Sequence, residues 1–388
     1  MATDSHPAQL PAPPPEAVAL SEKLARLIAT EIGRGGGWLS FARYMELALY
    51  ATGLGYYMAG ARKLGRDGDF VTAPEISRLY GRTLARQVGQ LAELGFDEIL
   101  EIGAGSGALA ADLLTELEQL GRAPERYLIL ELSPDLRDRS RDTLAARAPR
   151  LLERVAWLSR LPTSFTGIVI GNEVLDAMPA HVFQREGARI VELGVACEGG
   201  NFKWASRPSQ SPPVAPDPSC FPIDRYRSEM HLVARAFIQS LGAVLARGAA
   251  LFVDYGFPRH EYYHPQRARG TLMCHYRHRA HDDPFFLPGL QDITTHLDFS
   301  AIAQAGREGG LDLLGYVGQA QFLVNCGITE ILAETPASDA AVYAPLASQA
   351  QMLLSPAEMG ELFKVIAFGK GMSAPLRGFA QGDRSHTL

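Results

Sequence analysis

The sequence predicts an α/β protein built on a parallel, doubly wound, Rossmann-like sheet. Two observations carry this. From residue 97 onward, short apolar runs alternate with stretches of helical periodicity, the texture of strand–helix–strand units. The first of these runs also passes straight into a glycine-rich turn, Gly103-Ala104-Gly105-Ser106-Gly107, which opens a helical pattern at the ligand-binding edge of such sheets.

The elements follow in order. Apolar positions at helical spacing over 17–32 and 41–50, the second with Ser40 as N-cap, predict an N-terminal helical segment. A glycine-rich loop follows, Gly53-Leu54-Gly55-Tyr56-Tyr57 and Gly65-Arg66-Asp67-Gly68-Asp69-Phe70. Thr72 and Glu75 then stand at capping-box spacing before one long helix to about Leu94. The sheet region reads as strand 98–102, helix 106–120, strand 126–132, helix 134–146, and strands 155–158 and 167–171. Past Pro179 the alternation stops. Short strands at 181–185, 189–197 and 202–204 around glycine turns form an inserted β-rich piece, and the proline-rich stretch 207–222 is an irregular connection. Helix resumes over 226–246, a fifth core strand spans 249–254, and a second insertion runs from Tyr255 to about His296. A helix over 298–307 and strands over 311–317 and 363–368 complete the pattern. In domain terms this is a disordered tail at 1–15, an N-terminal helical cover at 16–95, one α/β domain at 96–371 with insertions at about 180–226 and 255–297, and a C-terminal tail at 372–388.

Composition bounds the function. With 388 residues, 47% hydrophobic and 21% charged, the chain can bury a sizeable core. A formal net charge of -6 gives no global attraction to phosphate backbones, so nucleic acid is not an expected partner. The 4 cysteines form no C-x-x-C pair, which fits a reducing, cytoplasmic setting and argues against a disulfide framework or a structural zinc site. No apolar run approaches the ~20 residues that span a bilayer. Residues 1–15 resemble neither a signal nor a transit peptide.

The glycine turn holds the most information. Glycines let the backbone turn tightly and approach a ligand, while the helix start presents amide N–H groups. Gly103, Gly105 and Ala108 satisfy the dinucleotide fingerprint, so a nicotinamide or flavin enzyme stays open. Glu101, two residues before Gly103, stands where S-adenosylmethionine enzymes place a carboxylate near the methionine ammonium. Glu131, ending the next strand, is placed for the two ribose hydroxyls, a role both cofactor classes share. Gly107 completes the expected cofactor loop. The second constellation is Asn172-Glu173 with Asp176, at the carboxyl end of the fourth strand. Any helical turn there would put Glu173 and Asp176 on one face. Spacing alone equally allows a capped turn with surface acids.

These residues resemble the MidA-type methyltransferases, bacterial relatives of a mitochondrial complex I assembly factor that methylates arginine. The resemblance spans roughly 17–371. It is carried by Gly55-Tyr56-Tyr57, by Gly68 through Glu75, by Glu101-Ile102-Gly103-Ala104-Gly105, and by Gly171-Asn172-Glu173 with Asp176-Ala177 and Pro179. Asp254-Tyr255-Gly256, Gly270-Thr271-Leu272 with His278, and Asp292-Ile293-Thr294 continue it. It implies a class I methyltransferase fold, S-adenosyl-L-methionine as cofactor and a protein arginine as acceptor, on a respiratory complex I subunit or its homologue. Glu173 and then Asp176 are the catalytic candidates, with Asn172 beside the cofactor. Asp69, Phe70 and Thr72 would belong to an N-terminal cover over the cofactor, with a structural turn as the alternative.

Cys274-His275-Tyr276-Arg277-His278-Arg279-Ala280-His281 has a superficial likeness to metal-ligand spacing, but methyl transfer needs no metal. The arginines favour a basic, partner-facing or substrate-lining loop instead. Thr295-His296 is similar to a pair near the active site of arginine methyltransferases, although a packing histidine is the simpler reading. Three functions therefore compete: a protein methyltransferase, a cofactor-binding assembly factor with little turnover, and a nicotinamide oxidoreductase. A homo-oligomer is left open.

Overall fold

A computed structural model describes residues 10–59, 71–208 and 218–388. The chain forms two compact units, one from 1–70, 176–236 and 257–299, the other from 71–175, 237–256 and 300–388. The segment bearing Asp69 and Phe70, residues 1–9 of the expected tail and most of the proline-rich connection lie outside the described residues.

The second unit holds the expected sheet. Its strands lie in the order Val155–Leu158, Arg126–Leu130, Glu98–Ile102, Phe165–Asn172, Leu245–Phe257, Phe363–Lys370 and Asp312–Gly318. The first five are parallel, while Phe363–Lys370 runs antiparallel to both neighbours. An antiparallel strand between the fifth and the last departs from the all-parallel dinucleotide order. Apolar side chains on both faces of the sheet are buried, Ile99, Ile129, Ile168, Leu251 and Val365 on one and Leu100, Leu128, Val169, Phe252 and Ile366 on the other, as a sheet covered by helices requires.

The first unit carries the helices Pro15–Arg34 and Phe41–Tyr50, the second capped by Ser40, whose side chain accepts from Arg43 N at 3.2 Å. It also carries an antiparallel sheet of Leu39–Ser40, Arg189–Glu198, His181–Glu186 and Arg227–Met230, with Asn201–Pro208 paired to Arg189–Glu198. A smaller sheet joins Arg279–His281, Met273–Tyr276 and Asp292–Thr294. Leu24, Ile28, Tyr44, Met45, Val195 and Ile293 lie in its core.

Several expectations need correction. The single helix to Leu94 is two, Ala73–Ile76 and Arg78–Glu93, because Ser77 takes an extended backbone and caps the second through Leu79 N. Thr72 ends the loop without a side-chain cap bond, and Glu75 turns instead to Ser106. The helix expected from 226 begins at Leu232, since Arg227–Met230 pairs with His181–Gln184. Four helices between the last two strands escaped notice: Gln319–Asn325, Ile328–Ala333, Ala340–Leu354 and Met359–Leu362. Three of them are short, and the longest, Ala340–Leu354, carries Pro345 inside it, a residue that argues against a helix when read from sequence. Residues 372–388 are no loose tail. Phe379 packs edge-on against Phe322 at 5.6 Å, and Asp383 accepts from Tyr316 N at 3.0 Å.

The basic stretch is a hairpin, Met273–Tyr276 with Arg279–His281, whose turn residues Arg277 and His278 both take positive φ, as a tight two-residue turn demands. Alternation buries Cys274, and no cluster of three potential metal ligands occurs among the described residues. The Gly270-Thr271 motif also has a structural role. Glu229, buried, accepts from Thr271 N and Oγ1, both at 2.9 Å, and a Cβ on Gly270 would lie 2.2 Å from its Oε1. Thr295 bonds His231, its Oγ1 lying 2.9 Å from Nε2, inside this unit.

Candidate active site

The glycine turn follows the strand Glu98–Ile102 and leads into the helix Ala108–Gln119. Gly103, Gly105 and Gly107 all have positive φ, 67°, 55° and 80°. Their reasons differ. A Cβ on Gly103 would lie 3.2 Å from Val174 Cγ2, where the turn passes the end of the fourth strand. One on Gly107 would lie 2.8 Å from Ser140 Cα, so the third glycine serves helix packing as well as the loop.

Glu101, one residue before the end of the strand that feeds the turn, is only 2% exposed. Its Oε2 accepts from Tyr127 OH at 2.8 Å. Burial pushes its carboxyl up to about 7, with the bond from Tyr127 opposing and the nearby Glu131 adding to the rise. Glu131, one strand over, is held by the backbone: Oε1 accepts from Ser133 N at 3.0 Å and Oε2 from Gly105 N at 3.4 Å. Burial raises this carboxyl too, against those N–H bonds. A carboxylate has about four acceptor positions, so with the N–H groups of Ser133, Gly105 and Leu132 bonded to it Glu131 still keeps some acceptor capacity. Leu132, next in the chain, is 57% exposed, an apolar surface beside Glu131.

At the end of the fourth strand Glu173 takes φ 53°, a left-handed conformation uncommon for a residue with a side chain and frequent at functional positions. Its N–H donates to Val253 O at 2.8 Å, tying it to the fifth strand. Its Oε1 accepts from Asn172 Nδ2 at 3.1 Å and from Ala73 N at 3.4 Å. Asn172 Oδ1 in turn accepts from Tyr80 OH at 2.5 Å. No helical turn forms over 173–176, so the expected shared face of Glu173 and Asp176 does not exist. Asp176 falls in the first unit, buried, with its carbonyl accepting from Thr295 N at 3.1 Å. In that same unit Tyr57 OH donates to Asp292 Oδ1 at 2.9 Å.

The second unit thus joins Glu101, Gly103, Gly105, Glu131, Asn172 and Glu173 along one edge of the sheet, with Thr72 opening the segment that leads to Ala73. Tyr80, Tyr127, Leu132 and the bond from Ser106 to Glu75 were not expected from the sequence. A tyrosine inside a helical pattern reads as core, and only the Glu131-Leu132 adjacency was a usable signal.

The model of a family of S-adenosyl-L-methionine-dependent methyltransferases matches residues 79–317. The chain belongs to that family. A crystal structure from Burkholderia thailandensis, bound to S-adenosyl-homocysteine, is 54% identical, covers 98% of this chain and 100% of its own, and superposes with a TM-score of 0.96. A native crystal structure from the same organism is 53% identical with a TM-score of 0.93 and the same coverage. Among curated proteins, the mitochondrial protein arginine methyltransferase NDUFAF7 of Danio rerio is 29% identical over 89% of this chain and 85% of its own length. The Mus musculus protein of that name is 30% identical over 85% and 81%. S-adenosyl-L-methionine is therefore the cofactor of this methyltransferase.

The residues present suit that cofactor. A buried carboxyl held near neutrality, as at Glu101, gains from an adjacent ammonium, which restores the charge that burial disfavours. The amides of the glycine turn, the lone pairs of Glu131 and the exposed face of Leu132 would hold the carboxylate, ribose and base.

Proposed function

We propose that this methyltransferase acts on an arginine of a protein substrate and that Glu173 holds the acceptor. The single observation that carries this is Glu173 itself. It is a carboxylate at the carboxyl end of the fourth strand, held in a left-handed backbone and aligned by two donors. In open α/β sheets reacting groups gather at that edge. The cofactor supplies a methyl group on a sulfonium that carries its own leaving group, so the protein's task is alignment and exclusion of water. A guanidinium held by Glu173 presents one nitrogen to the methyl carbon. That nitrogen forms the new bond, the carbon–sulfur pair returns to sulfur, and the proton shed by the nitrogen passes to the carboxylate. The printed names of the curated relatives, protein arginine methyltransferases, support the choice of acceptor.

The test uses tritiated S-adenosylmethionine and protein extract from cells lacking this chain, followed by hydrolysis and identification of the labelled amino acid. Labelled methylarginine is expected, and Glu173→Gln should cut its formation by ~10²-fold or more, the scale of general acid–base help, while S-adenosylhomocysteine affinity stays within about threefold. Label on another residue would exclude arginine as acceptor. Unchanged turnover in the variant would remove Glu173 from the reaction.

A further inference from the structure

We infer that Tyr80 is a positioning residue for methyl transfer, acting through Asn172 to fix the carboxylate of Glu173. The inference rests on the reading of Glu173 above and deepens it.

Tyr80 lies in the first turn of the helix Arg78–Glu93. It is 2% exposed, yet its hydroxyl reaches Asn172 Oδ1 at 2.5 Å. An amide side chain has two ends, and fixing one decides the other. With Oδ1 occupied by the phenol, the Nδ2 donors point away, and one of them meets Glu173 Oε1 at 3.1 Å. Were the amide reversed, its oxygen would face the carboxylate, acceptor against acceptor. Burial, with Glu173 and Asp254 nearby, pushes the phenol of Tyr80 well above the ordinary range, so the hydroxyl keeps the proton it gives to Oδ1. The tyrosine hydroxyl at one end and the carboxylate at the other thus hold the amide in the orientation that lends a proton to Glu173.

The same segment holds the other side of that oxygen. Ala73 N, at the start of the short helix Ala73–Ile76, also donates to Glu173 Oε1, and Glu75 of that helix bonds Ser106 of the glycine turn. Both donors converge on Oε1, so the carboxylate is held there from two sides. A carboxylate turning freely about its last bond would offer either oxygen in many directions. Methyl transfer requires the nucleophile in line behind the methyl carbon, so loss of this constraint lowers turnover without touching the glycine turn that binds the cofactor.

The experiment compares Tyr80→Phe, Glu173→Gln and the double variant in the tritiated methyl-transfer assay on protein extract, with calorimetry of S-adenosylhomocysteine on each. Tyr80→Phe keeps the buried ring and removes only the hydroxyl. Its turnover should fall by roughly tenfold to a hundredfold, the scale of a misplaced reacting group. KM for S-adenosylmethionine and affinity for S-adenosylhomocysteine should stay within about threefold. The double variant should be no slower than Glu173→Gln alone, since a residue acting through Glu173 adds nothing once the carboxylate is gone. A merely structural tyrosine would instead lower cofactor affinity and add its loss to that of Glu173→Gln. Wild-type turnover in Tyr80→Phe beside a crippled Glu173→Gln overturns the inference and spares the reading of Glu173. Wild-type turnover in both overturns the two together, and additive losses in the double variant overturn the route through Glu173.

Discussion

Cofactor affinity should depend on pH through Glu101. Its carboxyl is 2% exposed and pushed up to about 7 by burial. If the methionine ammonium pairs with the ionised form, apparent affinity scales with the ionised fraction. For a group near 7 that fraction is about nine-tenths at pH 8, half at pH 7 and about one-tenth at pH 6, which is a roughly tenfold loss, or about 1.4 kcal/mol, from pH 8 to pH 6. The sign follows from the raised value: protonation removes the partner, so binding weakens as pH falls through 7. Calorimetry of S-adenosylhomocysteine at pH 6, 7 and 8, in buffers of different ionisation enthalpy, reads both the affinity and the proton released at low pH. Glu101→Gln keeps the shape and the acceptor for Tyr127. It should bind about 1–3 kcal/mol more weakly at pH 8 and lose this pH dependence. A flat profile in the wild type, or the same slope in the Gln variant, would refute the placement of the ammonium at Glu101.

Other expectations follow from the same geometry. Glu131→Ala should weaken S-adenosylhomocysteine binding by about 1–3 kcal/mol, the scale of losing bonds to a charged acceptor; unchanged affinity by calorimetry would make it a purely structural acid that orders Gly105 and Ser133. Gly107→Ala should destabilise the fold by about 1–3 kcal/mol, because its Cβ meets the backbone of Ser140 at 2.8 Å and its φ is 80°. A melting temperature equal to the wild type would contradict that packing. His231, buried against Thr295, has its pKa lowered to about 3 by burial and by His296. The unfolded chain takes up a proton below about 6.5 and the folded chain does not. Its contribution to stability is therefore complete above 6.5 and should shrink by roughly 2 kcal/mol by pH 5. Urea titrations at pH 7.5 and pH 5 should show this loss, and His231→Gln should reduce it.

Much of the chemistry was legible because it is local. Glu101, Gly103, Gly105 and Glu131 are fixed by a strand, a tight turn and the next strand, whose periodicities and glycines are written in contiguous residues. The strand Phe165–Asn172 and the acid just beyond it were found for the same reason. Left-handed φ at Gly103 and Gly107 could be expected from residue type, since glycine alone adopts it freely.

What the sequence could not decide depends on residues far apart in the chain. The pairing of Glu173 with Asp176 rested on helical spacing, and it failed because the backbone at Glu173 turns left-handed and donates to Val253, a contact across 80 positions. Tyr80 looked like one more core residue of an amphipathic helix. Only the approach of that helix to the end of the fourth strand, 92 residues away, turned its hydroxyl into a hydrogen-bond donor to Asn172. The antiparallel strand Phe363–Lys370 was legible as a strand, but its direction and its place between Leu245–Phe257 and Asp312–Gly318 were not. A strand's alternation is the same whichever way it runs, and pairing is set by the neighbours available when the sheet closes. Local sequence determined the glycine turn and the acids beside it, whereas long-range packing decided which polar groups surround Glu173.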